Sequence, residues 1–517
     1  MRIWTGRAGS GKTTAILREI AALSEKGEGR QILLVPELNS HLMERRLAAA
    51  THNHGARTAE VLTFSRLADR VFSEVGGLAQ QMLTPAGQLL TLQEAARRVQ
   101  GGLSAWKGLA DKPELLQEAL RLIDECKTCA VAPETLFAAA EESEDAVLAE
   151  KLSDLAQILT AYERLCEESL PDPRDRLTHL RDRLAESHTL DGAAVYLDGF
   201  LGFTVQESAV VDAMLAAGVP LSAAVTCDTD YPEIFLTGCK TVQKLTRMAK
   251  HHNQTVERIE LGESKVARPA GLAALERESL LPVRTPQESA AGVRLYEAAS
   301  PFDECEHAAA YIRRKVRDEG ARCRDFVVAA RDIEPYSAFL AMAMARYDIP
   351  VFLAEKPDLL SRPPMALVTN ALEAVRNHFR YEDLFSCLKT GLAGLDWDEI
   401  DKLENYVLTW NVRGGAWERE WTEHPDGYGL SIDENAKAQL AELNTLRKRA
   451  IAPFSALREA LAGEQPAGDC VRALYAFLLA VDAPQRMTDR AAGHEQAGRL
   501  QLADEYRQLW EILVSAM

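Results

Sequence analysis

Eight consecutive residues near the start of the chain, Gly6-Arg7-Ala8-Gly9-Ser10-Gly11-Lys12-Thr13, satisfy the pattern G-x-x-x-x-G-K-[ST] without departure. The chemistry this spacing permits is the cradling of a nucleoside triphosphate, ATP in the simplest case. Gly6, Gly9 and Gly11 let the backbone turn so that its N–H groups face the phosphates, and the N-terminus of a following helix adds its positive end. In that arrangement Lys12 reaches the β- and γ-phosphates and the Thr13 hydroxyl ligates magnesium, with Thr14 the last residue of the nucleotide-binding set. Average residue usage produces such a match by chance in about one chain in a hundred of this length. A strand before it and a helix after it make chance a poorer account still.

Hydrolysis asks for more than binding: an acid at the end of a second strand to hold magnesium, and a neighbouring carboxylate to orient the attacking water. Asp198, which ends the apolar run 193–197 (AAVYL), is the one catalytic candidate and the second magnesium ligand beside Thr13. Gly199 follows it, where a hydrolytic site would want Glu. The pair therefore reads as a magnesium acid without its partner carboxylate, and competes with an ordinary strand-ending turn.

The elements that must position these residues follow from periodicity. Residues 2–5 are a short apolar strand and 13–24 (TTAILREIAALS) have the apolar spacing of a helix. Two more strand candidates, 31–36 (QILLVP) and 59–64 (AEVLTF), alternate with helical stretches at 40–50 and 65–75. Such alternation predicts a parallel sheet with helices on both faces. From about 84 to 186 the pattern becomes almost purely helical, and strand signal returns at 193–197 and 221–226, so the same sheet resumes after a helical insertion. Residues 260–290, rich in Pro, Ser, Gly and Glu, read as a connection. A second α/β unit opens at Val293, with a helix over 304–318, a strand over 325–330 (DFVVAA), a helix over 336–347 and a short strand over 349–353; beyond about 365 the pattern is helical. The final pattern, 499–517, has no cap or glycine stop, so the chain is expected to be part of something longer.

With 517 residues the chain exceeds what one hydrophobic core serves. No run approaches the roughly 18 apolar residues of a membrane span, and no signal peptide is evident, so no membrane partner and a cytoplasmic location are expected. The net charge of −18 argues against a general nucleic-acid-coating surface, though not against a local basic groove. Nine cysteines, an odd count, read as reduced thiols; Cys126 and Cys129 have the spacing of a metal half-site but no matching second half, so a helix end is the simpler reading. His52 with His54, and His251 with His252, lack a carboxylate partner in sequence and read as solvated. Lys240, Lys244, Arg247 and Lys250 recur at helical spacing, either facing a phosphate backbone or solvated.

Taken in order, GRAGSGKTT, ILLVPE, VLTFSRLADRV and YLDGFLGFTVQE resemble superfamily 1 DNA helicases of the UvrD type, and most closely the B subunit family (AddB, RexB) of the AddAB helicase-nuclease. The resemblance covers essentially the whole chain. It implies an α/β P-loop NTPase fold of RecA-like parallel sheets with large helical insertions: residues 1–83 and 191–260 forming the first motor domain, 84–190 an insertion, 261–292 a connection, 293–365 the start of a second RecA-like domain, and 366–517 a further insertion. Thr63-Phe64-Ser65, with Leu67 and Ala68, matches the family's TFHxLA element, which lies against single-stranded DNA; these three residues are the implied DNA contacts.

The departures point to a disabled motor. Asp198-Gly199-Phe200-Leu201-Gly202, with Gln206 downstream, stands where active relatives carry DEFQD, and Cys227-Asp228-Thr229-Asp230-Tyr231 replaces GDxxQSIY without its glutamine. There is also no room before the loop for the glutamine element that grips adenine. Arg331 is the nearest match to an arginine finger and equally a strand-end surface residue. By resemblance the function is that of an ATP-binding, DNA-contacting B subunit in a heterodimer with an AddA-type helicase-nuclease subunit, processing double-strand breaks for recombinational repair. The equivalent region of the family helps to recognise the regulatory Chi sequence. The family's nuclease domain and iron–sulfur cluster are implied only beyond residue 517, so none of the nine cysteines is assigned to the cluster. A free-standing P-loop ATPase or kinase, or a structural arm with a relic nucleotide site, are the alternatives.

Overall fold

Five of the six strands around the phosphate loop are short and apolar, and each of these is followed by a helix. A computed structural model describes residues 1–52, 58–262, 266–278, 289–353 and 358–517. The chain divides into two units, Met1–Leu295 and Tyr296–Met517.

In the first unit six strands, β1 (Arg2–Gly6), β2 (Arg30–Leu34), β3 (Ala59–Leu62), β4 (Ala193–Leu197), β5 (Leu221–Thr226) and β6 (Glu257–Glu260), form one parallel sheet in the order β3-β2-β4-β5-β1-β6. Side chains alternate between its faces. Ile3, Ile32, Leu34, Val195, Leu197 and Val225 enter one core, whereas Trp4, Leu33, Val61, Tyr196 and Ala224 enter the other. Both faces are covered, which is why these strands read as continuous apolar runs. The helices α1 (Lys12–Lys26), α2 (Ser40–Ala50) and α3 (Phe64–Val75) follow the first three strands. In α3, Phe64, Leu67, Ala68, Val71 and Phe72 make one buried stripe, and the Thr63 hydroxyl caps the start by accepting from the Arg66 N–H at 3.2 Å.

The strand β6 escaped the sequence reading. Its residues, Glu-Arg-Ile-Glu, are mostly exposed, and it exists because β1 offers a free edge on which Arg2 pairs with Glu257.

The expected insertion is present as α4 (Pro85–Val99), α5 (Pro113–Thr128), α6 (Pro133–Glu142), α7 (Ala146–Glu168) and α8 (Arg176–Arg183). It has its own core of Leu92, Leu116, Ile123, Leu155, Leu159 and Tyr162. Asp172, fully buried, pins it: the carboxylate accepts from Gln88 Nε2, Tyr162 Oη and the Arg174 N–H at 2.8–2.9 Å, with Lys127 Nζ 3.9 Å away. Cys126 is buried on α5 and Cys129 caps its C-terminal end, the helix-end reading of that pair. The unit is completed by α9 (Val205–Ala216), α10 (Leu236–His251) and α11 (Ala270–Glu278).

In the second unit α12 (Pro301–Glu319) and α13 (Glu334–Arg346) pack through Cys305, Ala309, Ile312, Leu340 and Met344. The strands expected at 325–330 and 349–353 are not formed, nor does one open at Val293. These segments have strand composition, but among the described residues no neighbouring edge takes up their N–H and C=O groups, and Val327 and Phe352 are 91% and 90% exposed. Beyond them the chain is helical as expected, from α14 (Pro363–Arg376) through α15 (Tyr381–Leu388), α16 (Trp397–Trp410), α17 (Glu434–Ala460), α18 (Ala467–Ala480) and α19 (Ala483–Gln496) to α20 (Leu500–Ala516), around Phe379, Trp417 and Phe454. Among the described residues no helix is long and apolar enough to cross a membrane.

Candidate nucleotide site

The loop that joins β1 to α1 is shaped by its glycines. Gly9 and Gly11 have φ of +79° and +96°, and a Cβ at Gly6 would lie 2.6 Å from Ser10 Oγ and 2.8 Å from the Leu261 carbonyl oxygen. Lys12 bends back across this turn, its Nζ donating to the carbonyls of Gly6 at 2.7 Å and Arg7 at 2.8 Å. Burial lowers the pKa of this ammonium, and the Asp198 carboxylate opposes the shift. The Ser10 hydroxyl is fully buried inside the turn with no hydrogen-bond partner among the described residues. A tight glycine turn with an ammonium bent across it suits an anionic group.

Asp198 ends β4, one strand beyond β5 from the loop, and its N–H donates to the Leu34 carbonyl at 3.1 Å. The side chain is 4% exposed. Burial raises its pKa, against the lowering influence of the Thr13 hydroxyl, the Gly199 N–H and the charges of Lys12 and Arg46. Two oxygen donors of the type magnesium prefers, Thr13 Oγ1 and the Asp198 carboxylate, are thus already neighbours, so the residues present fit that cation. Gly199 has φ of +83°, and a Cβ there would meet Asn39 Nδ2 at 3.2 Å and Pro36 Cδ at 3.4 Å. A glutamate at 199 would therefore strain the backbone and crowd Asn39 and Pro36.

A feature the sequence reading missed holds the loop from the other side. Arg7 Nε donates to Asp228 Oδ2 at 2.5 Å, and its guanidinium lies 5.0 Å from the Tyr231 ring centre and 5.6 Å from that of Phe235. Asp228 is steadied by the Asp230 N–H, 2.9 Å from Oδ1. Beside this cluster is a cleft of about 870 Å³ lined by Gly6, Arg7, Asp228, Tyr231, Glu260 and Arg268. The only signal in the sequence was that Asp228 survives in a segment otherwise stripped of its family pattern.

The remaining candidates scatter. Thr14 is exposed on α1. Thr63 and Phe64 are 1% and 5% exposed, Phe64 packing edge-on against Phe200 at 5.6 Å, so of the three implied DNA contacts Ser65 alone presents its side chain to solvent. Gln206 turns away from the loop and donates to the Arg174 carbonyl at 2.9 Å and Thr178 Oγ1 at 3.2 Å. Lys240, Lys244, Arg247 and Lys250 share the exposed face of α10, with Lys244 Nζ donating to Ser208 Oγ at 2.5 Å. His251 and His252 touch ring to ring, and His252 Nε2 meets Asp212 at 2.9 Å; His54 lies outside the described residues. Arg331 is exposed in the second unit.

A parallel sheet with a glycine loop ending β1 and a buried acid ending β4 defines a RecA-like α/β domain of the P-loop type, enlarged by helical insertions. The chain belongs to the family described as ADDB, N-terminal, whose model matches residues 3–276. Proteins named as the B subunit of an ATP-dependent helicase/deoxyribonuclease are similar along its length. That of Acetivibrio thermocellus is 32% identical over 530 residues, covering 99% of this chain and 46% of the relative. That of Desulforamulus reducens is 32% identical over 535 residues with the same coverage, and that of Clostridioides difficile 29% identical over 534 residues, covering 100% and 46%. The chain therefore spans about half the length of the curated relatives it matches.

Proposed function

We propose that this chain is the nucleotide-binding part of the B subunit of an ATP-dependent helicase-nuclease, contacting DNA beside an A-type partner in the cytoplasm and serving the repair of double-strand breaks. The observation that carries the reading is the glycine loop after β1, with the Lys12 ammonium bent across it, and the buried Asp198 carboxylate at the end of β4. The names of the full-length relatives support the larger assembly. Gly6 to Thr13 take the phosphates of ATP, with Lys12 leaving its two carbonyls for the β- and γ-phosphates, and Thr13 with Asp198 holds magnesium. When bound, that cation neutralises phosphate charge. With Gly199 where a water-orienting carboxylate would stand, turnover in this chain is weak. Among the three implied DNA contacts the role falls to Ser65.

The test is magnesium-ATP binding and turnover by the chain, wild type beside Lys12→Ala, with and without single-stranded DNA. Binding that Lys12→Ala abolishes, with negligible turnover, is the expected result. Brisk DNA-stimulated turnover would show that the site hydrolyses without a carboxylate at 199, and no binding would make the loop a structural relic.

A further inference from the structure

Behind the phosphate loop two thiols face each other. Cys227, the residue after β5, and Cys239, near the start of α10, have Sγ atoms 3.0 Å apart, about 1 Å more than the ~2.0 Å of a disulfide bond. Among the described residues no other pair of cysteines brings its sulfur atoms so close. Packing enforces the approach. A Cβ on Gly238 would lie 2.0 Å from the Thr226 carbonyl oxygen, so only glycine lets α10 press against the end of β5, and the next residue is Cys239.

The segment between the two cysteines is the one that grips the phosphate loop. It contains Asp228, bound to Arg7, and Tyr231 and Phe235, whose rings lie near the Arg7 guanidinium. Cys227 itself touches the loop, its N–H donating to the Gly6 carbonyl at 3.4 Å. The two thiols differ in access: Cys227 is 3% exposed and Cys239 is half-buried. Burial, with the adjacent Cys239 thiol, pushes the Cys227 thiol up to about 12, so an oxidant is met first by Cys239.

We propose that Cys227 and Cys239 are a reversible dithiol–disulfide pair, a modification site for a hydroperoxide, and that closing it loosens the hold on the phosphate loop. The Cys239 sulfur attacks one peroxide oxygen, the O–O bond breaks, and one water leaves with formation of a sulfenic acid. The Cys227 sulfur then attacks that sulfur; the S–S bond forms, the S–O bond breaks, and the second water carries away the Cys227 proton. Two thiols and one hydrogen peroxide become one disulfide and two waters, two electrons passing from sulfur to oxygen. Drawing the sulfurs together moves Cys227 toward α10 and off the Gly6 carbonyl, and takes the adjacent Asp228 with it. The effect on nucleotide rests on the function proposed above, whereas disulfide formation does not.

The reduced 517-residue chain is to be titrated with hydrogen peroxide, its free thiols counted, the disulfide located by peptide mass, and magnesium-ATP affinity measured before and after. The expected result is a loss of two of the nine thiols, a Cys227–Cys239 disulfide absent from Cys239→Ser, and affinity weakened about tenfold and restored by a dithiol reductant, the scale of one charge-assisted hydrogen bond. Nine thiols surviving, or a disulfide elsewhere, overturns the pair. A Cys227–Cys239 disulfide with unchanged affinity overturns control of the loop. Its formation in a chain that binds no nucleotide even when reduced upholds the pair and overturns the nucleotide reading.

Discussion

Asp198 carries two opposed demands. As a buried carboxylate it is held above its ordinary value of 3.8 by desolvation, so the ionised form lowers the stability of the folded chain. That cost is absent below the unfolded pKa, grows as pH rises through the interval up to the raised folded value, and is complete above it. Replacing the carboxylate removes the cost and also the magnesium ligand proposed above. Asp198→Asn is accordingly expected to raise the melting temperature of the free chain at neutral pH while weakening magnesium-dependent ATP binding by about tenfold or more. A lowered melting temperature would mean that the Thr13 and Lys12 contacts outweigh desolvation. The same shift makes magnesium-dependent affinity fall on acidification at a higher pH than an ordinary aspartate would give, which a binding titration against pH reads directly.

Among the elements, the helical insertion depends on one buried acid. Asp172 is the common acceptor for Gln88, Tyr162 and the Arg174 N–H, and stands near Lys127, so truncating it strands several donors out of reach of water. Asp172→Ala is expected to cost about 3–5 kcal/mol in chemical denaturation, the scale of a broken buried charge network. A loss below about 1 kcal/mol would mean that water reaches the site. Strands show the reverse lesson. The segment 325–330 has the composition of a strand and no edge to pair with, whereas β6 has four residues of poor strand character and is a strand because β1 accepts it. Composition reports what a strand buries; pairing decides whether it forms.

For the whole molecule the charge of −18 sets the terms on which the DNA of the proposed function would be met. A global field of that sign opposes a polyanion, so affinity has to come from a few local contacts. Single-stranded DNA is expected to bind this chain weakly, with a log–log salt slope no steeper than about −2, the equivalent of three phosphates. A markedly steeper slope, lost when Lys240, Lys244 and Arg247 are changed to alanine, would assign the exposed face of α10 to the phosphate backbone. The sequence alone determined the glycine loop, its flanking strand and helix, the resumption of the sheet at 193–197 and the helical insertion. These are local properties: glycine positions, capping residues and apolar periodicity act within a few residues of one another. Which distant groups meet depends on how the whole chain packs. Arg7 and Asp228, 221 positions apart, are joined because β5 lies beside β1, and Cys227 meets Cys239 because Gly238 lets a helix close on a strand end. Gln206 and Phe64 were drawn into packing instead of the site, because a residue's place in a motif does not say which way the core will turn it.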